Sequence, residues 1–146
     1  MTCRAVSVSE RLGHRGYIAS RPIRGERVPQ HVQNLVIRSY CQRNGFTFLL
    51  SATEYAMPGC FIMLNEVLRE LPRLRGIVLY SLFMLPDDQK RRRALCETVL
   101  AAGVSLHGAV EDLALTGPAD LERIEDLWLV TRVLRQSADP ALILDR

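Results

Sequence analysis

Gly76-Ile77-Val78-Leu79-Tyr80 decides the fold. The run lacks the polar residue at every second position that marks a strand with one wet face, so it reads as covered on both sides. Strands of that kind belong to parallel sheets with helices packed on each face. Just before it, Pro58 opens a helix with Phe61, Leu64, Leu68 and Leu71 on one stripe, and Pro72 closes it. Just after it, Pro86-Asp87-Asp88 starts another helix, since proline and acids suit an N-terminus, and Gly103 follows its end.

Further out the alternation continues. Val104-Ser105-Leu106-His107 is a fourth strand and Phe46-Thr47-Phe48-Leu49-Leu50 a second. Gly16-Tyr17-Ile18-Ala19-Ser20 is the first, followed by a helix that opens at Pro29, carries Val32, Leu35, Val36 and Tyr40, and stops at Asn44-Gly45. A last helix runs from Pro118 to about Gln136. Strands alternating with helices imply right-handed crossovers. The expected fold is a three-layer α/β domain with a four-stranded, mainly parallel sheet in the order 2-1-3-4, resolvase- or flavodoxin-like, plus a long C-terminal helix. Residues 14–137 form this single domain, between an N-terminal arm at 1–13 and a tail at 138–146.

The chain of 146 residues suits one domain, and 48% hydrophobic with 24% charged residues makes disorder the wrong default. A net charge of +3 is too small to argue for nucleic acid. Cys3, Cys41, Cys60 and Cys96 are widely spaced, with no C-x-x-C pair. Reduced, packed thiols are expected, with no metal site. Residues 1–15 lack the apolar core of a signal peptide, and no stretch is long enough for a membrane span, so the expected compartment is the cytoplasm. The Lys90 to Arg93 run reads as a solvated helix face.

Ligands of open parallel sheets bind beyond the carboxyl ends of the strands, where strand order reverses. The first loop brings Ser20 and three arginines, Arg21, Arg24 and Arg27, ahead of a helix N-terminus. Planar guanidinium forks beside exposed helix N–H groups suit phosphate or carboxylate. The alternative is solvated cations pairing with Glu26 and its neighbours. The second loop brings Ser51, Thr53, Glu54 and Tyr55, and the later ones Tyr80, Ser81, His107 and Glu111. Glu54 sits among Ala52, Tyr55, Ala56 and Met57, and partial desolvation there would raise its pKa and suit it to proton transfer. Helix capping is the alternative role. Ser20 and Ser81 lack the G-x-S-x-G turn of an activated serine, and a strand-end serine more often bonds the backbone.

The stretches Gly16-Tyr17-Ile18-Ala19-Ser20-Arg21-Pro22 and Gly25-Glu26-Arg27-Val28-Pro29-Gln30-His31-Val32-Gln33-Asn34 resemble a bacterial family, the sporadic carbohydrate cluster proteins. So do Leu50-Ser51-Ala52-Thr53-Glu54-Tyr55-Ala56-Met57-Pro58, Tyr80-Ser81-Leu82-Phe83 and Ile124-Glu125-Asp126-Leu127-Trp128-Leu129-Val130. That resemblance implies work on surface polysaccharides or related sugars. A looser one is to the catalytic domain of serine recombinases, the resolvases. Their aromatic-x-Arg-x-Ser pattern would need arginine where Ala19 stands, and Ser20 falls one place early. Their later arginines would fall near Met84 and Asp87, so the electrostatic support for phosphodiester chemistry is missing.

Together these readings predict a small, cofactor-independent isomerase, epimerase or lyase acting on an anionic sugar. Arg21, Arg24 and Arg27 would hold the anion, with Ser51, Thr53, Tyr55, Ser81 and Glu111 around it and Glu54, Tyr80 and Ser20 as catalytic candidates. The alternative is a non-catalytic accessory protein that binds a sugar nucleotide or a pathway enzyme. Leu121, Ile124, Leu127, Trp128, Val130, Val133 and Leu134 make a wide apolar arc on the last helix, which predicts a homo-oligomer joined through it. Neither nucleic acid nor membrane is an expected partner.

Overall fold

The computed structural model describes residues 10–137. Its five strands are β1 (Gly13–Ala19), β2 (Phe48–Glu54), β3 (Leu74–Leu79), β4 (Ser105–Gly108) and β5 (Leu113–Leu115). Residue parity along them sorts the core into two layers. Tyr17, Ala19, Ile77 and Leu79 share one face, while Ile18 and Val78 share the other. The second face is covered by α1 (Gln30–Asn44) through Ile37, Tyr40 and Cys41. The first is covered by α2 (Ile62–Arg69), α3 (Gln89–Ala101) and α4 (Pro118–Ser137), which contribute Leu64, Val67, Leu95, Cys96, Val99, Leu121 and Ile124.

The sheet order is β2-β1-β3-β4-β5, parallel except for β5, which returns antiparallel along β4. The expected order 2-1-3-4 therefore gains a fifth strand. Leu113-Ala114-Leu115 is too short to show a period, which is why it reads as loop in the sequence. A second correction concerns β2, expected at 46–50. It continues to Glu54 because Ala52, Thr53 and Glu54 pair with Tyr17, Ile18 and Ala19. An edge strand tolerates exposed polar residues such as Thr53, so the polar run Ser51-Ala52-Thr53-Glu54 does not end it.

Helix starts shift for local reasons. Pro58 lies in a turn with Gly59 at φ 71°, so α2 begins only at Ile62. Asp88 caps α3, accepting a hydrogen bond from Arg91 N at 3.1 Å. At the other end of the sheet Arg11 ties the chain down before β1. Its guanidinium donates to Leu74 O at 3.1 Å and Ala102 O at 2.7 Å, so the last residues assigned to the arm are anchored. The tail at 138–146 and residues 1–9 of the arm, Cys3 among them, lie outside the described residues. Cys41 and Cys96 are buried free thiols, and burial pushes Cys96 up to about 11. Among the described residues no helix is long and apolar enough to cross a membrane.

Candidate functional site

Three loops at the carboxyl ends of β1, β2 and β3 meet the C-terminal half of α4 around a cleft of about 1520 Å³. This is the side of the β1/β3 boundary where strand order reverses. The first loop is pinned at its root by the buried side chain of Gln33. Its Oε1 accepts from Ala19 N at 3.1 Å, and its Nε2 donates to Ala19 O at 2.7 Å and Val28 O at 2.8 Å. Beyond that root the chain folds on itself, with Ile23 N to Glu26 O at 2.8 Å and Glu26 N to Ile23 O at 3.1 Å. The two central residues, Arg24 and Gly25, have φ of 54° and 82°, the pattern of a type I′ turn. Glycine suits that conformation. An arginine there costs on the order of 1 kcal/mol.

That turn aims cations into the cleft. Arg21 donates from Nη1 to the carbonyl of Cys60, and its guanidinium lies 4.8 Å from the centre of the Phe61 ring. Arg91, from α3, lies 5.6 Å from the same ring. Arg24 lies 4.1 Å over Phe83. No ion pair joins any of these three to a carboxylate among the described residues. Below them Arg92 is buried, bonding both Glu125 oxygens at 2.9 and 2.7 Å and the carbonyls of Pro86 and Asp87 at 3.1 and 3.0 Å. It also lies 4.2 Å from the Trp128 ring, which leans on Phe83.

Of the expected site residues, only Arg21 and Arg24 line this cleft. Arg27 is exposed beyond the turn, where the tight Ile23–Glu26 pairing carries it away, and Arg91 stands in its place. Ser20 lies outside the lining and accepts a bond from Gln30 Nε2. Ser51 faces α1 and donates to Asn34 Oδ1 at 2.6 Å, while Thr53 and Tyr55 are exposed on and after β2. The Lys90 to Arg93 run is not a uniformly solvated face, because Arg92 is buried in it.

The two expected carboxylates cap helices. Glu54 is buried and accepts from Tyr17 Oη at 2.7 Å, Leu64 N at 2.9 Å, Met63 N at 3.0 Å and Tyr55 N at 3.3 Å. Burial pushes its pKa up, but the hydrogen bonds from Met63, Tyr17, Leu64 and Tyr55 together outweigh burial and hold it below the ordinary value. The direction is opposite to the rise expected from its apolar neighbours. The Tyr17 hydroxyl is pushed up, by burial first and then by Glu54. Glu111 likewise accepts from Leu82 N at 2.6 Å and Ser81 Oγ at 2.9 Å, holding the single turn Leu82–Met84. Tyr80, half-buried, has its hydroxyl pKa raised by burial and then by Glu111 and Glu26.

The architecture that builds this cleft is shared with known proteins. The chain is similar to a resolvase family site-specific recombinase from Streptococcus pneumoniae, with TM-score 0.61 and 11% identity over 90% of this chain and 97% of that one. It is similar to the N-terminal catalytic domain of TP901-1 integrase, with TM-score 0.51 and 11% identity over 85% of this chain and 98% of that one. At such identities the likeness establishes a resolvase-like fold and nothing of the chemistry. No protein-family profile matches the chain, and no curated protein matches it in sequence.

Several residues that shape the site do not stand out in the sequence: Gln33, Phe61 as a cation support, Phe83, Arg91 and Arg92. One signal for Arg92 is present. It shares a helical stripe with Leu95, Cys96 and Val99, and a cation on an apolar stripe points inward.

Proposed function

We propose that this chain binds a phosphate-bearing sugar intermediate in the arginine cleft and serves its pathway as a binding protein, not as a proton-transfer catalyst. The observation that carries the reading is the placement of Arg21 and Arg91 around one phenylalanine ring with no ion-paired carboxylate among the described residues. Cations held together in that way favour an anion between them. The sugar context comes from the resemblance to the carbohydrate cluster proteins. A second copy of the chain on the exposed side of α4 completes the proposal, because Val130 and Leu134 are 53% and 62% exposed there.

As the catalytic base of an isomerase, epimerase or lyase, Glu54 would have to take up a proton, and its hydrogen bonds oppose that. The recombinase-like fold favours DNA as a competing ligand. Against it, Ala19, Met84 and Asp87 carry no positive charge where the sequence resemblance to the resolvases would place arginines. A thermal-shift screen against sugar phosphates, nucleotide sugars and short DNA duplexes separates these readings. A ligand at 100 times its dissociation constant adds about 2.7 kcal/mol, enough to move the transition visibly. A shift with a sugar phosphate or nucleotide sugar supports the proposal. A shift with DNA alone, or with nothing, overturns it.

A further inference from the structure

We infer that the anion taken by this cleft is a diphosphate, read through its two phosphoryl groups and not through an attached base. The inference rests on the anion-binding reading above and goes beyond it in ligand class. The cleft offers two cationic seats on two separate rings. Arg21 and Arg91 share Phe61, and Arg24 lies over Phe83, whose ring also meets Trp128. The guanidiniums of Arg24 and Arg91 present planar forks that match a phosphoryl group, Arg21 keeps its remaining N–H groups beside its bond to the Cys60 carbonyl, and an aromatic face holds each without neutralising it. Two like charges around one ring repel, and a multiply charged anion relieves that repulsion.

Arg24 adds an independent sign. It occupies a left-handed position, φ 54°, where glycine or asparagine would sit more easily. The turn thus keeps a cation at the mouth of the cleft against its own conformational preference. The rings that could stack a nucleobase are engaged: Phe61 and Phe83 by these arginines, and Trp128 by Arg92 at 4.2 Å. Nothing built from them selects one base over another.

Calorimetric titration of the full chain at fixed ionic strength tests this with inorganic phosphate, pyrophosphate, UDP and GDP. Pyrophosphate, UDP and GDP are expected to bind within about threefold of one another and at least about tenfold tighter than phosphate. Arg24→Asn keeps a residue that tolerates the turn, so its unfolding midpoint stays put while pyrophosphate falls to the affinity of phosphate. Arg38→Ala, which removes the same charge from the exposed side of α1, keeps the preference and so excludes a net-charge effect. Equal affinities for phosphate and pyrophosphate overturn the diphosphate inference and leave the anion site standing. So does a preference that survives Arg24→Asn, or a difference of more than about tenfold between UDP and GDP. Failure of all four probes to bind overturns the anion-binding reading itself.

Discussion

Gln33 pairs with both backbone polar groups of Ala19, as a neighbouring strand would, at the point where β1 leaves the sheet. Replacing it with leucine leaves the Ala19 N–H and C=O and the Val28 carbonyl without those partners in a buried place. Each orphaned group costs about 1–3 kcal/mol, so Gln33→Leu should lower stability by at least about 3 kcal/mol. Urea unfolding measures the loss. Phosphate affinity should drop in the same variant, because the loop carrying Arg21 and Arg24 is no longer held at its root.

Glu54→Gln should lose stability. The amide presents two N–H donors on one side of a group that now accepts from Tyr17, Met63 and Leu64. A loss of about 2–3 kcal/mol is expected. The lowered native pKa means that the carboxylate's stabilisation is complete above its ordinary value of 4.5 and disappears as pH falls through the depressed one. An unfolding midpoint at pH 7 equal to that of the parent chain would show that Glu54 is not holding α2.

Burial sets a different acid limit at His14 and His107. Both rings are lowered from 6.5 to about 4, by burial first and then by Arg75 for His14 and by His14 for His107. The unfolded chain therefore binds protons between those values that the native protein does not. Stability is full above pH 6.5 and falls as pH drops toward 4. Tm should be several degrees lower at pH 5 than at pH 7.5. His14→Phe, which keeps the ring stacked on Phe46, should remove part of that slope.

Arg92 and Glu125 are both nearly buried, so removing one partner strands the other's charge. Arg92→Ala or Glu125→Ala should cost about 3–5 kcal/mol, while Arg92→Met combined with Glu125→Leu should recover most of it. Chemical unfolding of Arg92→Met, Glu125→Leu and their combination checks the coupling. Additive losses would mean that the pair acts as two independent contacts.

The proposed second copy on α4 is tested by light scattering. Val130→Glu with Leu134→Glu places two charges on the exposed apolar stripe and should give a monomer whose unfolding midpoint no longer depends on protein concentration. A parent chain that is already monomeric at tens of micromolar removes the proposed interface.

Where the burial pattern is strong, the sequence is a good guide. The all-apolar run in β3, the α2 stripe through Leu64 and Leu71, and glycine at Gly45 and Gly103 read correctly, and the resolvase-like architecture follows from them. The α1 stripe does not: Leu35 is exposed, and Gln33, Ile37 and Cys41 are buried beside Tyr40, because the face turned to the sheet carries a glutamine that the apolar count passes over. β5 and the extension of β2 are pairing decisions made by neighbouring strands, and neither leaves a local periodicity. The site is legible only in part. Arg21 and Arg24 stand out because they interrupt a strand-to-helix connection, whereas Arg91 belongs to a helix distant in sequence and meets Phe61 only after folding. Glu54 is visible as a candidate, but the sequence points to the wrong direction for its pKa. Its side-chain neighbours in sequence are apolar, while the backbone N–H groups that decide its ionisation come from α2.

Each loop around the cleft is fastened by one side chain that grips main-chain atoms: Gln33 at Ala19, Glu54 at Met63 and Leu64, Glu111 at Leu82. The cleft is therefore shaped before the proposed anion arrives. Association should run at a rate set by diffusion and by the field of the arginines, with a steep dependence on ionic strength and no slow rearrangement afterwards.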